Sequence, residues 1–451
     1  MAEKDSRDVE RQDGGVSSGQ APVGVDLNKD QLALRWKNHA ACLCMYIIVI
    51  FRFGCSPVVD AMNTEFSHMS VWLAPGITTV STLSFCSMLI IMPSMGSLLK
   101  LLKYKGTLIS LTSLLGALLP LSIGLAASTG QIWIAYLGAV LASPADALAL
   151  ECGKVMIVQW WAVDGRQRSG VALYGLMVGM MLLLMVLALG HTCHYWGLAW
   201  AAYAQALLFV VLNTWPFFLA LRGELGPPPA ELQVKGSPAS ASPKLRCSLS
   251  FYQLCFHCLA TISPAYGMKM LLTLIFQTSY SVSFLTSSNF SALTLVLYAV
   301  ARSVFPYIAK PGRLMPMEMA MILLTGILYA LYPVIIEQLP IWYLVLAKTI
   351  TGGCFAGIIS MQSLLLLEVY APHELPAVFM KIEPIAGFGW TFGPVVGYYL
   401  NLMQKSKGIT ERGTYNLFFY SAAVLYFAAA ANLAVLHSRV SARRSLKAEV
   451  A

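Results

Sequence analysis

The chain has 451 residues and a net charge of +9, and it is 57% hydrophobic and only 11% charged. A soluble domain carries roughly 25% charged residues, so this composition excludes an ordinary water-soluble fold. The basic residues lie in short clusters between apolar runs, which argues against a nucleic-acid-binding surface. The apolar runs are about 20 residues long, enough for each to cross a bilayer as a helix. We therefore predict an all-α polytopic membrane protein.

Residues 1–39 are polar and rich in Gly and Ser, and they are predicted to form a disordered cytoplasmic N-terminus. A first six-helix bundle is predicted over 40–221, with spans at 40–62, 70–93, 106–127, 131–156, 169–190 and 196–221. The segment 222–251 contains a triple proline and the run GSPASASPK, which is typical of a flexible cytoplasmic linker.

A second six-helix bundle is predicted over 252–437, with spans at 252–277, 288–309, 317–336, 341–366, 377–402 and 415–436. A basic tail, 438–451, follows it. Lys and Arg are concentrated in the linker, in both terminal segments and in the alternate loops on the same side, and the loop after span 11 is an exception. The positive-inside rule then places both termini in the cytoplasm, and twelve spans satisfy that placement.

Features that recur six spans apart predict an internal repeat. Short basic turns containing glycine follow span 2 (MGSLLKLLKYKGTL) and span 8 (YIAKPGRLMP). Span 5 carries Gly170, Gly175 and Gly179, and span 11 carries GFGWTFGPVVG, so both are predicted to pack closely against neighbouring helices. Before span 5, the turn VQWWAVDGRQRSG predicts interfacial tryptophans at Trp160 and Trp161, with Asp164 capping span 5 or pairing with Arg166 or Arg168.

Two six-span halves, a long linker and basic turns after spans 2 and 8 resemble the major facilitator superfamily over residues 40–437. Within it, the WW…RxRxGxALYG stretch and TFGPVVG resemble the oxalate/formate antiporter and monocarboxylate transporter branches. The resemblance implies a transporter of a small organic solute, which works by alternating access of the two halves. It also implies that spans 1 and 4 line a central cavity and that Arg302 in span 8 recognises a carboxylate.

Ionisable residues inside spans are costly and are functional candidates by default. Arg52 in span 1 and Asp146 in span 4 lie at similar predicted depth. They form either a buried structural ion pair or a site at which Asp146 accepts a coupling proton and controls the availability of Arg52 to solute.

Arg302 has Tyr298 at i−4 and no acidic residue one turn away, so its partner is either a solute anion or a group on another helix. Lys269 and Lys348, in the outer halves of spans 7 and 10, either attract anions into the cavity or extend to the interface. Lys381 near the inner end of span 11 is a further candidate for solute binding, with Glu383 as a neutralising or proton-coupling neighbour. Pro57, Pro144, Pro264 and Pro384 are predicted to interrupt spans 1, 4, 7 and 11.

The sequence contains no phosphate-binding glycine loop and no HExxH motif, and we expect neither an enzyme nor a cofactor. The favoured interpretation is secondary active or facilitative transport of a small organic solute, with a carboxylate or other anion preferred. The expected partners are that solute and the lipid bilayer, with a proton or a counter-anion as the coupled ion, and the chain is expected to act as a monomer without nucleic acid. The alternatives are a non-transporting receptor or scaffold and a transporter of neutral solutes such as sugars or amino acids.

Overall fold

The computed structural model describes residues 27–67, 74–104, 110, 113–164, 166–226, 228–229, 248–309, 312–370 and 375–450. Within these ranges the chain is helical, with no strand. The α-helices of the first half are Lys29–Met45, Ile47–Gly54, Ser56–Glu65, Pro75–Tyr104, Leu118–Thr129, Trp133–Ala162 and Gln167–Leu221. Those of the second half are Leu249–Tyr280, Phe284–Leu293, Val296–Ile308, Leu314–Gln338, Ile341–Val369, Leu375–Ser406 and Asn416–Val450.

These helices form twelve spans in two six-helix halves, as the sequence predicts. Six described helices are individually long and apolar enough to cross a membrane, and the bent pair Lys29–Gly54 and Ser56–Glu65 provides a seventh candidate. The longest of them, Gln167–Leu221, contains both span 5 and span 6. Gly197 leaves the helical conformation, with φ 77° and ψ 167°, and this break separates the two spans. Spans 2, 3 and 4 contain shorter apolar stretches, at Pro75–Ile90, Leu115–Thr129 and Trp133–Ala149. We call the side that holds both chain ends the inner side, and the opposite side the outer side.

The most extensive contacts between the two halves join span 2 with span 11 and span 5 with span 8, and span 1 also contacts span 7. The predicted repeat relates span 2 to span 8 and span 5 to span 11, so the two contacts are equivalent under it. Glycine makes the second contact possible: a Cβ atom on Gly175 would lie 2.7 Å from the backbone oxygen of Arg302. The prediction that spans 5 and 11 pack closely is confirmed, since the glycines of span 11 face backbone and side-chain atoms of spans 2 and 7.

Helical structure begins earlier than the sequence predicts. Residues 29–39 were assigned to the disordered N-terminus, but they continue span 1 on the inner side as the helix Lys29–Met45. Asn28 and Gln31 cap its start reciprocally, each side chain bonding to the backbone N–H of the other. This cap, together with contacts to the rest of the N-terminal half, compensates for the polar composition on which the prediction depended.

The predicted helix interruptions are only partly correct. Span 1 is broken at Cys55, two residues before Pro57, with a 55° bend between its two parts. Pro144, Pro264 and Pro384 instead lie inside helices that continue past them. Span 8 is broken at Thr294–Leu295 without any proline at the break. A transmembrane helix tolerates an internal proline, although the proline lacks the N–H that would bond to the carbonyl four residues earlier.

Candidate functional site

A cavity of ≈ 20 Å³ lies between the halves, beside the break in span 1. A cavity of this size holds roughly one water molecule. Spans 1 and 5 of the N-terminal half and spans 7, 8 and 10 of the C-terminal half contribute its lining. The lining residues are Ser56, Val186, Ala265, Lys269, Leu272, Ser291, Thr294, Leu295, Tyr298, Lys348, Gly352 and Phe355. This lining includes two lysines and no acidic side chain.

Two of the predicted cations, Lys269 and Arg302, lie beside aromatic rings in or next to this cavity. The Nζ atom of Lys269 lies 5.2 Å from the ring centre of Phe53 and 5.3 Å from that of Tyr298. The guanidinium carbon of Arg302 lies 5.8 Å from the same Tyr298 ring, and its Nη1 atom donates a hydrogen bond to the Tyr298 hydroxyl at 3.4 Å. Tyr298 is therefore in contact with both cations, one from span 7 and one from its own helix.

Lys348 reaches the cavity from span 10 and is buried, with 7% of its surface exposed. It shares one helix face with Gly352, four residues further along, which also lines the cavity. Neither Lys348, Lys269 nor Arg302 forms an ion pair with a carboxylate in the described part of the chain. A buried cation without a counter-charge is unfavourable, so this arrangement suits an anion supplied from outside the chain.

Arg52 has a different environment. Its Nη1 atom lies 2.6 Å from an Asp146 carboxylate oxygen, and both side chains are fully buried. The Trp390 ring of the C-terminal half lies 4.6 Å from the guanidinium carbon, and the Tyr266 hydroxyl donates to the backbone oxygen of Arg52 at 3.1 Å. The structure thus places the two predicted residues together as a buried ion pair. Arg52 is not among the residues that line the cavity.

Lys381 is exposed near the inner end of span 11 and does not line the cavity. The side chain of Glu383 lies outside the described part of the structure. Of the predicted site residues, Lys269, Tyr298 and Lys348 line the cavity, Arg302 contacts Tyr298 without lining it, and Arg52 pairs with Asp146 outside the lining.

The sequence reasoning missed Asp60, on the outer side of the break in span 1. Asp60 is buried, with 5% of its surface exposed, and the side-chain amide of Gln277 in span 7 donates a hydrogen bond to its carboxylate. The same amide donates to the Ser287 hydroxyl of span 8 at 3.2 Å. Asp60 lies two residues from the predicted end of span 1, where a carboxylate normally reaches water, so its burial was not expected.

A buried pair within the C-terminal half was missed as well. His257 of span 7 lies 2.8 Å from the carboxylate of Glu318 in span 9, and both side chains are almost fully buried. The signal was available in the sequence, because both residues fall inside or beside predicted apolar spans. The pair is remote from the residues that line the cavity.

On the inner side, the turn between spans 4 and 5 is bonded to the start of span 1. The residues at this contact are Arg35, Asn38, Trp160, Trp161 and Asp164. The carboxylate of Asp164 pairs with Arg35 at 2.6 Å, whereas its distance to Arg166 is 3.9 Å. The Trp161 ring lies 4.2 Å below the guanidinium carbon of Arg35. The indole of Trp160 donates to the backbone oxygen of Gly226 at 2.8 Å.

The prediction for Asp164 is confirmed in part, since its carboxylate accepts a hydrogen bond from the backbone N–H of Arg166 at 3.3 Å and lies 3.9 Å from the Arg166 side chain. Its nearest partner is Arg35 of span 1, because the unpredicted inner extension of that helix lies beside the turn. Trp160 and Trp161 are buried within the protein and do not form an exposed interfacial pair, because the same extension covers them.

No group of three or more His, Cys, Asp or Glu side chains in the described ranges is arranged to hold a metal ion. Seven of the eight described cysteines lie inside predicted spans.

Comparison of the sequence with family models and with curated proteins gave no match. Solved structures with the same fold include the human organic anion transporter MFSD10, at 12% identity and a TM-score of 0.58, with 90% of this chain and all of that chain covered. An auto-inhibited peptide transporter of the POT family matches at 12% identity and a TM-score of 0.62, with 91% of this chain and 97% of that chain covered. A bacterial homologue of the iron transporter ferroportin, in an outward-facing state, matches at 9% identity and a TM-score of 0.56, covering 90% and 99%.

These likenesses extend over nearly the whole chain, and they show that it shares the fold of these three transporter structures. At such low identity they carry the architecture and not the solute, which differs among the three proteins.

Proposed function

We propose that this protein transports a small organic anion across a membrane by alternating access of its two six-helix halves. The observation that carries the proposal is that Lys269 and Lys348 line one cavity whose lining contains no carboxylate, while Arg302 lies behind it against the lining residue Tyr298. Three positive charges in a low-dielectric site repel each other, and each has lost the hydration that it would have in water. An anionic solute relieves both penalties, whereas a neutral sugar or amino acid relieves neither.

The three cations differ in what they can recognise. The guanidinium of Arg302 presents a planar fork of donors that matches the two oxygens of a carboxylate. Lys269 and Lys348 act as point charges on the outer side of that fork, where they favour a second negative group or a solute arriving from outside. The Tyr298 hydroxyl accepts a hydrogen bond from Arg302 and keeps its guanidinium at the cavity.

The two contacts between the halves suit a rocking motion. Spans 2 with 11 and 5 with 8 flank the cavity, and they are the surfaces along which one half slides on the other. Because the cavity of ≈ 20 Å³ is too small for an organic solute, the halves must part to admit one. The solute site lies at their interface, where alternate opening exposes it to each side of the membrane.

Uptake into liposomes tests the proposal. The purified protein is reconstituted and supplied with labelled lactate, succinate, citrate, glucose or alanine. We expect uptake of at least one of the carboxylates, with a loss of about 10-fold or more in Arg302→Gln, Lys269→Gln and Lys348→Gln, because a hydrogen bond to a charged group contributes about 1.5–3 kcal/mol.

Lys407→Gln is the matched control, since Lys407 is exposed in the loop after span 11. Carboxylate uptake that survives all three cavity substitutions would contradict the proposed anion site. Uptake of glucose or alanine alone would indicate a neutral-solute transporter, and no uptake of any compound would favour a receptor or scaffold.

A further inference from the structure

Spans 1 and 8 are both broken beside the cavity. Span 1 is interrupted at Cys55 and span 8 at Thr294–Leu295, and each break is followed by a shorter helix, which we call a half-helix. The outer half-helix of span 1 is Ser56–Glu65, and the inner half-helix of span 8 is Val296–Ile308. Span 1 runs outward and span 8 runs inward, so both half-helices begin at the cavity and lead away from it in opposite directions.

The carbonyl groups that the two breaks release are bonded by side chains. In a continuous helix, each carbonyl oxygen accepts from the N–H four residues further on. At the break in span 1, the carbonyl oxygen of Arg52 instead accepts from the Tyr266 hydroxyl at 3.1 Å. At the break in span 8, the carbonyl oxygen of Ser291 accepts from the Thr294 hydroxyl at 2.7 Å. The protein itself therefore satisfies these acceptors.

The N–H groups that follow each break have no such side-chain partner. The first backbone bonds within the half-helices are donated by Val59 and by Ala299, at 2.8 and 3.0 Å. The earlier N–H groups of each half-helix have no partner within it, and no side chain caps either start. Ser56 and Tyr298 carry two of these N–H groups, and both residues line the cavity. The breaks therefore direct backbone donors, without matching acceptors, towards one cavity.

A buried positive charge faces the same cavity. Lys348 lines it with only 7% of its surface exposed. The described chain gives its ammonium group neither an ion pair nor a hydrogen bond. The start of a helix carries partial positive charge and binds anions through its free N–H groups, and broken membrane helices use their half-helices in this way. The helix starts and Lys348 thus favour the same kind of ligand, a negatively charged group with several acceptor positions.

We propose that the starts of Ser56–Glu65 and Val296–Ile308 form a backbone site for a carboxylate group of the transported anion. This inference rests on the proposed function and adds the atoms that hold the solute. The N–H of Tyr298 donates to the carboxylate from the C-terminal half, and the N–H of Ser56 donates from the N-terminal half when that half covers the anion. A carboxylate has about four acceptor positions, so these bonds are compatible with a further bond from Arg302.

Replacing one residue by its α-hydroxy analogue tests this site, because the amide N–H becomes an ester oxygen while the side chain is unchanged. The full-length protein is made with this replacement by nonsense suppression in oocytes, and uptake of labelled succinate and lactate is measured against their concentration. At Ser56 or Tyr298, we expect the concentration that gives half-maximal uptake to rise about 10-fold, because each replacement removes a hydrogen bond to a charged group.

Val59 and Ala299 are the matched control positions, because their N–H groups already bond within the half-helices. The same replacement there should leave the half-maximal concentration close to the parent value. Equal shifts at all four positions would overturn the inference and leave the proposed function intact. Absence of succinate and lactate uptake by the parent chain would instead defeat the proposed function, and the inference with it.

Thermal unfolding in detergent gives a second test, which does not depend on transport. Leu295 precedes the inner half-helix and lines the cavity, so Leu295→Asp places a carboxylate where it can accept from the free N–H groups. Leu272→Asp is the matched control, because Leu272 is also a buried lining residue but lies within a continuous helix. We expect Leu295→Asp to unfold at the higher temperature of the two, and equal midpoints would contradict free donors at this helix start.

Discussion

The guanidinium of Arg52 lies 2.6 Å from the Asp146 carboxylate within the N-terminal half, and the Trp390 ring of the C-terminal half covers it at 4.6 Å. One arginine therefore has an ionic partner in its own half and an aromatic partner in the other. In the proposed cycle, relative motion of the halves changes the second contact and preserves the first, so Trp390 moves against an ion pair fixed in the N-terminal half.

Removing one partner of this pair should destabilise the protein strongly. Asp146→Asn or Arg52→Met leaves a fully buried group without its counter-charge, and we expect a loss of about 3–5 kcal/mol. The double variant Arg52→Met with Asp146→Leu should recover most of that loss, because apolar groups of similar volume need no partner. Thermal unfolding in detergent measures both effects, and single variants as stable as the parent chain would contradict the burial of the pair.

The close contact of spans 5 and 8 depends on Gly175. Gly175→Ala should impair transport, because the added Cβ atom would lie 2.7 Å from the backbone oxygen of Arg302 and push that segment from the cavity. Alanine is the better helix former by about 1 kcal/mol, so any loss must come from packing. Gly226→Ala is the control, because no atom lies within 4 Å of a Cβ built there. Uptake rates of the two variants in liposomes give the comparison, and equal rates would exclude the tight contact.

The two ion pairs on the inner side should contribute unequally to stability. Asp164→Asn leaves the buried guanidinium of Arg35 without its carboxylate, and we expect a loss of about 3 kcal/mol. Glu224→Gln should change stability little, because the pair with Lys37 lies at the surface and is screened by water and salt. Lys37 lowers the pKa of Glu224, so the small contribution of that pair is present at neutral pH and is lost as the pH falls through the lowered value. A thermal-shift series at two pH values separates the pairs, and a larger loss from Glu224→Gln would contradict this ranking.

An anion that occupies the cavity should stabilise the folded protein. At 100 times its dissociation constant, a ligand of the native state adds about 2.7 kcal/mol, which raises the midpoint of thermal unfolding. We expect succinate to raise this midpoint in the parent chain and to raise it less in Lys348→Gln, with sodium chloride at equal ionic strength as the reference. The same shift in both proteins would mean that succinate acts through bulk salt and not through Lys348.

The spans were predictable because the bilayer fixes the length of an apolar helix, and hydropathy alone then locates each one. The contact of Arg302 with Tyr298 was also accessible, since residues four apart lie on one helix face. In the same way, the glycines of span 5 predicted a close helix contact, although not which helix would provide it.

Contacts between distant parts of the chain were not predictable. Asp60 and Gln277 are 217 residues apart, and Arg35 and Asp164 are 129 apart. Their meeting depends on the rotation of each helix about its axis, and helices that are apolar on all faces give little indication of that rotation. The convergence of Lys269 and Lys348 with Arg302 was left open for the same reason, since either lysine could have pointed towards the membrane surface.

The cations of the cavity all belong to spans 7, 8 and 10, while spans 1 and 5 contribute a small hydroxyl and an apolar side chain, Ser56 and Val186. The two similar halves therefore differ in what they contribute to the site. In the proposed cycle the anion stays bound to the C-terminal half throughout. The N-terminal half covers it first from one side of the membrane and then from the other. Selectivity for solute should accordingly follow the C-terminal half if the halves of related transporters are exchanged.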